Sequence, residues 1–125
     1  YSCAGHNPPW LFKRNANSPG FTRKSLLAMG VRLGENYDVQ PYEEKKIQIE
    51  KDDILLLYTD GLMDGSNSEG VQFSKKRTLQ NLDRTLAFGP KAIIEGLALE
   101  VEQHNSGKSL DDDVTVAAIQ IQKLG

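Results

Sequence analysis

Cysteine and histidine are scarce in this chain: its 125 residues hold one Cys, Cys3, and two His. An intrachain disulfide is therefore excluded, and the donors for a zinc site built on His and Cys are too few. A lone thiol fits a reducing compartment, so a cytoplasmic location is expected. No Lys or Arg adjoins Cys3, although His6 is near, and Cys3 reads as a buried structural residue rather than a nucleophile. Long apolar runs are also missing. None approaches the roughly 20 residues of a membrane span, and no signal-peptide pattern opens the chain. Nor is there an excess of positive charge. Fifteen Lys and Arg stand against 17 Asp and Glu, for a net charge of −2. Without a basic stripe, no nucleic-acid partner is expected. The run Lys75-Lys76-Arg77 is too short to change this and reads as the solvated start of a helix. An initiating Met is absent too. The chain opens at Tyr1, in what reads as a strand, and so reads as part of a longer protein.

What is present suits one folded domain with a single core. Apolar residues make up 38% and charged residues 26%, a globular balance. Tyr1–Ala4 and Trp10–Lys13 read as strands of a hairpin, joined by the turn Gly5-His6-Asn7-Pro8-Pro9. Arg14–Gly20 reads as a polar loop, and 25–34 as irregular structure packed on the core. Tyr37–Tyr42 reads as a strand, with Pro41 at its edge or end. Lys46-Ile47-Gln48-Ile49-Glu50 alternates as a half-exposed strand does, and Lys51-Asp52-Asp53 is a turn. Ile54–Tyr58 is a continuous apolar run, consistent with a strand covered on both faces. The Gly-, Ser-, Asn- and Asp-rich stretch 61–72 reads as loop. A helix follows over Ser74–Leu86, with Leu79, Leu82 and Leu86 at helical spacing. Gly89-Pro90 starts a second helix, with Ile93, Ile94, Leu97, Ala98 and Val101 as its stripe and Gly107 just past its end. Val114–Ile121 is the last strand. The order gives an α+β fold in which two helices cover antiparallel strands.

Two acidic segments stand out, about fifty residues apart. Ile54-Leu-Leu-Leu-Tyr-Thr-Asp60-Gly61-Leu-Met-Asp64 places Asp60 where the chain leaves a strand, and Gly61 permits a sharp turn or the close approach of a ligand. Asp111-Asp112-Asp113-Val-Thr-Val places carboxylates where the chain enters one. Each alone is an ordinary turn signal. Together they form a potential site for a hard cation, which relieves repulsion among neighbouring carboxylates. Carboxylate ligands suit Mg²⁺ or Mn²⁺.

Three ordered segments carry a family resemblance: Ala4-Gly5-His6-Asn7-Pro8-Pro9, Asp53 to Asp64 with Asn67, Gly70 and Phe73 beyond it, and Asp112-Asp113-Val114-Thr115-Val116. With Leu33-Gly34 between the first two, they resemble the C-terminal part of the bacterial PPM (PP2C-like) serine/threonine phosphatases of the SpoIIE/RsbU type. The resemblance spans essentially the whole chain. It implies part of an α-β-β-α sandwich, with Asp60 and Asp112 as metal ligands and Asp64 near a further, weaker cation. It also implies that Asp113 orients the loop, that Gly61 serves geometry, and that His6 lies on a turn approaching the site. Two divalent cations, Mn²⁺ or Mg²⁺, activate a water that attacks phosphorus in such enzymes. The implied substrate is a phosphoserine on a regulatory protein such as an anti-sigma-factor antagonist. An upstream sensor domain in the parent protein is implied as well.

The chain departs from the family pattern in two places. The Gly-Asp-Val-x-Gly-His-Gly segment that supplies the bridging aspartate is absent, so residues 1–125 are expected to be the C-terminal portion of one domain, inactive by themselves. Phe73-Ser74 replaces the usual Phe-Gly, and Ser74 is expected to cap the following helix. Half a sandwich exposes sheet edges, open to a homodimer. The competing expectation is a non-catalytic, degenerate phosphatase or interaction module.

Overall fold

The computed structural model describes residues 1–34 and 42–123. Among these residues four strands form one antiparallel sheet: β1 (Trp10–Arg14), β2 (Phe21–Ser25), β3 (Ile54–Tyr58) and β4 (Val116–Gln120), in the order β2-β1-β3-β4. Between β3 and β4 come a single-turn helix α1 (Gly61–Asp64), helices α2 (Ser74–Thr85) and α3 (Pro90–Asn105), and a 3-10 turn at Leu86–Phe88. The fold is mixed α+β, as expected, and is compatible with a PP2C-like sandwich.

Alternation along the strands decides what the helices cover. Trp10 pairs with Leu56, Phe12 with Ile54, and Tyr58 with Val116, so these side chains share one face. There they form the core with Leu82 and Leu86 beneath α2 and with Ile93 and Leu97 of α3. Pro90 stands in the first turn of α3, where no backbone donor is needed, and Ser106 in left-handed conformation ends the helix. Ile94 and Ala98, read as part of the buried stripe, are exposed instead.

The opposite face is only partly covered. Leu11 and Leu26 are buried, and with Ile47, Leu55 and Ile121 they line a cavity beneath the chain at 45–49. Leu57 and Ile119 remain open at 37% and 47% exposure.

Several local expectations are corrected. Residues 1–4 form no strand, and the partner of β1 is β2, a largely polar edge strand. Tyr1 instead exchanges two backbone hydrogen bonds with Lys45. Lys46–Glu50 is not a strand either. Both edges of β3 are already taken by β1 and β4, so this segment lies over the sheet's open face. Of the strand expected at 37–42, residues 37–41 lie outside the described residues, and Tyr42 is in no strand. Cys3 is half-buried rather than buried.

Ser74 does not cap α2 through its side chain. It sits at φ 73°, the left-handed region that favours glycine, and its carbonyl accepts a hydrogen bond from the Thr78 hydroxyl.

Candidate metal centre

Strand β3 delivers Asp60 and strand β4 receives Asp112 and Asp113 at the same end of the sheet. Pairing runs one residue past the strands: Thr59 N–H donates to Thr115 O at 3.0 Å, and Thr115 N–H donates to Thr59 Oγ1 at 3.0 Å. The Thr59 hydroxyl in turn donates to Asp113 O at 3.3 Å. This threonine fixes the two acidic segments side by side.

Gly61 is where the backbones meet. It is buried, and a Cβ built there would fall 2.4 Å from Asp113 O and 3.7 Å from Asp112 Cβ. Real side chains do not tolerate the first distance, so glycine is required by close approach rather than by a left-handed turn.

The stretch after Asp60 is not all loop. Asp60 accepts from Gly61 N–H at 3.1 Å and its carbonyl accepts from Met63 and Asp64 N–H, which makes α1 a single helical turn. Asp64 therefore lies one turn beyond Asp60 on the same side.

The three consecutive acids divide their roles. Asp111 is held by Lys108 Nζ at 2.7 Å and by Ser66 N–H at 2.9 Å, while Lys108 also donates to Ser66 O at 2.9 Å. The Lys108 hydrogen bond, then the Ser66 amide, hold its carboxyl below the usual aspartate range. Asp111 thus staples the 65–73 loop to the acidic loop. Among the described residues, Asp112 accepts only from the adjoining Asp113 N–H, at 2.8 Å. Among the described residues, no Lys, Arg or His lies within ion-pair distance of Asp60, Asp64, Asp112 or Asp113. All four are exposed.

These carboxylates supply the hard oxygen donors that a divalent Mg²⁺ or Mn²⁺ prefers. Their number falls short: among the described residues, no three His, Cys, Asp or Glu converge on one point. The residues fit one wall of a cation site, not a closed cage. His6 is exposed and turned to its own neighbour, with Nδ1 2.9 Å from Asn7 O, and no described hydrogen bond joins it to the acids. Cys3 Sγ donates to His6 O at 3.2 Å and gains no base from it. An apolar groove of about 750 Å³ runs beside the acidic loop, lined by Leu62, Leu97, Val101, Leu110 and Val116. It contains none of the four acids.

Sequence reasoning missed Thr59, the Lys108–Asp111 staple and His104. His104 is buried in the last turn of α3, beside Phe73, between Val71 O at 2.8 Å from Nε2 and the Arg77 guanidinium at 3.1 Å from Nδ1. The Val71 carbonyl requires the proton on Nε2, which leaves Nδ1 to accept from Arg77. No spacing signal marks that contact.

No helix is long and apolar enough to cross a membrane among the described residues. No curated protein and no solved structure matches the chain. A family model described as Stage II sporulation protein E (SpoIIE) matches residues 1–122. Its match covers both acidic segments and the strands that bring them together, and so the chain belongs to the SpoIIE family, the PP2C-like phosphatase domain of the SpoIIE/RsbU type.

Proposed function

We propose that this chain is the C-terminal portion of a metal-dependent serine/threonine phosphatase domain. Asp60 and Asp112 are its cation ligands, with Asp64 serving a further, weaker cation. The observation that carries the reading is the junction at Gly61, where exposed acids with no basic partner among the described residues are packed together through the backbone. Such a junction gains nothing for stability from its like charges, and a cation offsets their repulsion.

In this reading Thr59 and Gly61 hold the two carboxylate loops in register. Asp113 contributes through its carbonyl, which accepts the Thr59 hydroxyl, while its side chain adds negative potential at the rim. His6 is a secondary candidate on the neighbouring turn. Bound Mn²⁺ or Mg²⁺ supplies a lowered water pKa and neutralises phosphoryl charge. The remaining ligand, a bridging aspartate, comes from another part of the parent protein, and the open face bearing Leu57 and Ile119 is where the rest of the sandwich packs. The substrate is a phosphoserine on a regulatory protein in the cytoplasm, and an upstream sensor domain sets when the enzyme acts.

The test has two readouts. Calorimetric titration of the parent protein with Mn²⁺ is expected to show saturable binding that Asp112→Ala weakens. Phosphate release from a phosphoserine peptide is expected to depend on Mn²⁺ and to be lost in Asp60→Ala. Full activity in both variants sinks the reading. The alternative is a non-catalytic interaction module, favoured by the lack of a third converging acid among the described residues. Saturable metal binding by the parent without phosphate release from any phosphoprotein selects it.

A further inference from the structure

The chain has more acids than bases, yet two cations that meet over Trp10, Arg23 from a β2 position level with Ile54 and Lys75 from the start of α2, have no carboxylate partner among the described residues. Arg23, on β2, lies with its guanidinium carbon 5.0 Å from the Trp10 ring centroid, and Lys75, in the first turn of α2, lies with Nζ 5.7 Å from it. Neither is within ion-pair distance of an acid among the described residues, and both are exposed. Trp10 itself is buried and stacks on Tyr58 with ring centroids 4.9 Å apart. Tyr58 is the last residue of β3, two positions before Asp60.

The placement is electrostatically costly. The first turn of α2 carries Lys75, Lys76 and Arg77 and no acid, and its N-terminal end is the positive end of the helix dipole. Cations there oppose the dipole, and an acidic partner from outside reverses that penalty. Arg23 projects toward the same spot. The surface is therefore bipolar. Bare carboxylates lie where β3 and β4 meet the loops, and bare cations lie over Trp10, Arg23 reaching it from β2 and Lys75 from α2.

We propose that Arg23 and Lys75 form a docking rim for an acidic stretch of the phosphoprotein substrate, next to the phosphoserine that the acidic loops address. The occupant is an extended peptide with Asp or Glu within about four residues of the phosphoserine, since Trp10 is level with Leu56, four residues before Asp60 along β3, and a strand advances about 3.3 Å per residue. The Trp10 face holds both cations in place, so less side-chain freedom is lost on binding. The identity of the occupant as a substrate rests on the phosphatase reading; the docking rim itself can be tested without turnover.

The test measures fluorescence anisotropy of labelled peptides on the full chain in EDTA. Two peptides of equal length carry one phosphoserine, flanked by Glu in one and by Gln in the other. The Glu peptide is expected to bind about tenfold tighter at low salt, as two exposed charge pairs of up to about fivefold each allow. That preference should shrink below about twofold in Arg23→Gln/Lys75→Gln and survive in Lys91→Gln, whose lysine lies on α3 and pairs with Glu95. If the double variant is unfolded by circular dichroism, a salt titration of the wild type decides, because the preference must collapse as screening rises. No preference in the wild type, a preference that ignores salt, or equal loss in Lys91→Gln overturns the proposal. So does equally tight binding of a single-stranded DNA of matched charge. The phosphatase reading fails separately, when the parent with Mn²⁺ releases no phosphate from either peptide.

Discussion

Strand β3 has an aspartate beyond each of its ends, and the two are treated in opposite ways. Asp53, just before Ile54, is fully buried. Its Oδ1 accepts from Arg14 N–H at 3.1 Å, its Oδ2 accepts from Glu50 N–H at 2.9 Å, and Lys13 Nζ lies 3.6 Å away. Asp60, two residues past Tyr58, is exposed and, among the described residues, accepts only from the adjoining Gly61 N–H. A carboxylate has about four acceptor positions. Those of Asp53 face the fold's own backbone, whereas most of those of Asp60 are left for something outside it. The difference separates an acid that the fold needs from one that the fold merely positions.

Mutation should split the pair along the same line. The largest effect is expected on activity. Asp60→Ala in the parent protein should lower Mn²⁺-dependent phosphate release at least about a hundredfold, the scale of losing one group that stabilises transition-state charge. Its unfolding free energy should stay within about 0.5 kcal/mol of wild type, as for other surface changes. Asp53→Ala should do the reverse. It strands two backbone donors and a lysine, and should cost about 3 kcal/mol in urea unfolding of this chain. A destabilised Asp60 variant, or an Asp53 variant of wild-type stability, breaks the comparison.

The pair also shows how far the sequence could be read. β3, α2 and α3 were legible as elements because each carries an apolar run or stripe that reaches the core, although Leu57 of β3 and Ile94 and Ala98 of α3 are exposed. β2 was not, because Phe21-Thr-Arg-Lys-Ser has one half-buried apolar residue and no alternation. Its existence depends on the free edge of β1. The alternation of Lys46–Glu50 was real, since Ile47 is half-buried, but period alone does not say whether a strand has an edge to join. Asp60 and Asp112 were singled out as a pair through the family resemblance, and the structure brings their loops together at Gly61. The division of labour within Asp111, Asp112 and Asp113 was not, because it is set by Lys108 and Ser66, and the latter lies 45 residues away from Asp111. Asp53 was read only as a turn residue. Its burial depends on the ends of β1 and on Glu50, which sequence spacing does not bring together.

A smaller effect tests the active end of the comparison without removing a charge. In Gly61→Ala the new Cβ meets Asp113 O at 2.4 Å, a backbone atom that cannot rotate aside. The acidic loops must then move apart, at a cost of about 2 kcal/mol by the usual scale of overpacking. Calorimetry on the parent should show weaker Mn²⁺ binding although every carboxylate remains. Wild-type metal affinity in this variant removes Gly61 from the argument.

The smallest effect guards against equating exposure with availability. Glu43 is only partly covered, yet its Oε2 accepts from Met29 N–H at 2.9 Å and Lys45 Nζ lies 3.2 Å from Oε1. The Met29 hydrogen bond first, and Lys45 after it, hold its pKa below the ordinary 4.5. A depressed carboxyl pKa adds stability that is complete above the unfolded value and is lost as pH falls through the folded one. Protection of the Met29 amide against hydrogen exchange should therefore be constant above pH 4.5 and decline below it. In Glu43→Gln the amide oxygen can still accept from Met29 but cannot titrate, so the decline should vanish. If Met29 protection falls equally in both proteins, Glu43 belongs with the acids the fold merely positions, and the boundary between the two classes must be drawn by burial rather than by hydrogen bonding.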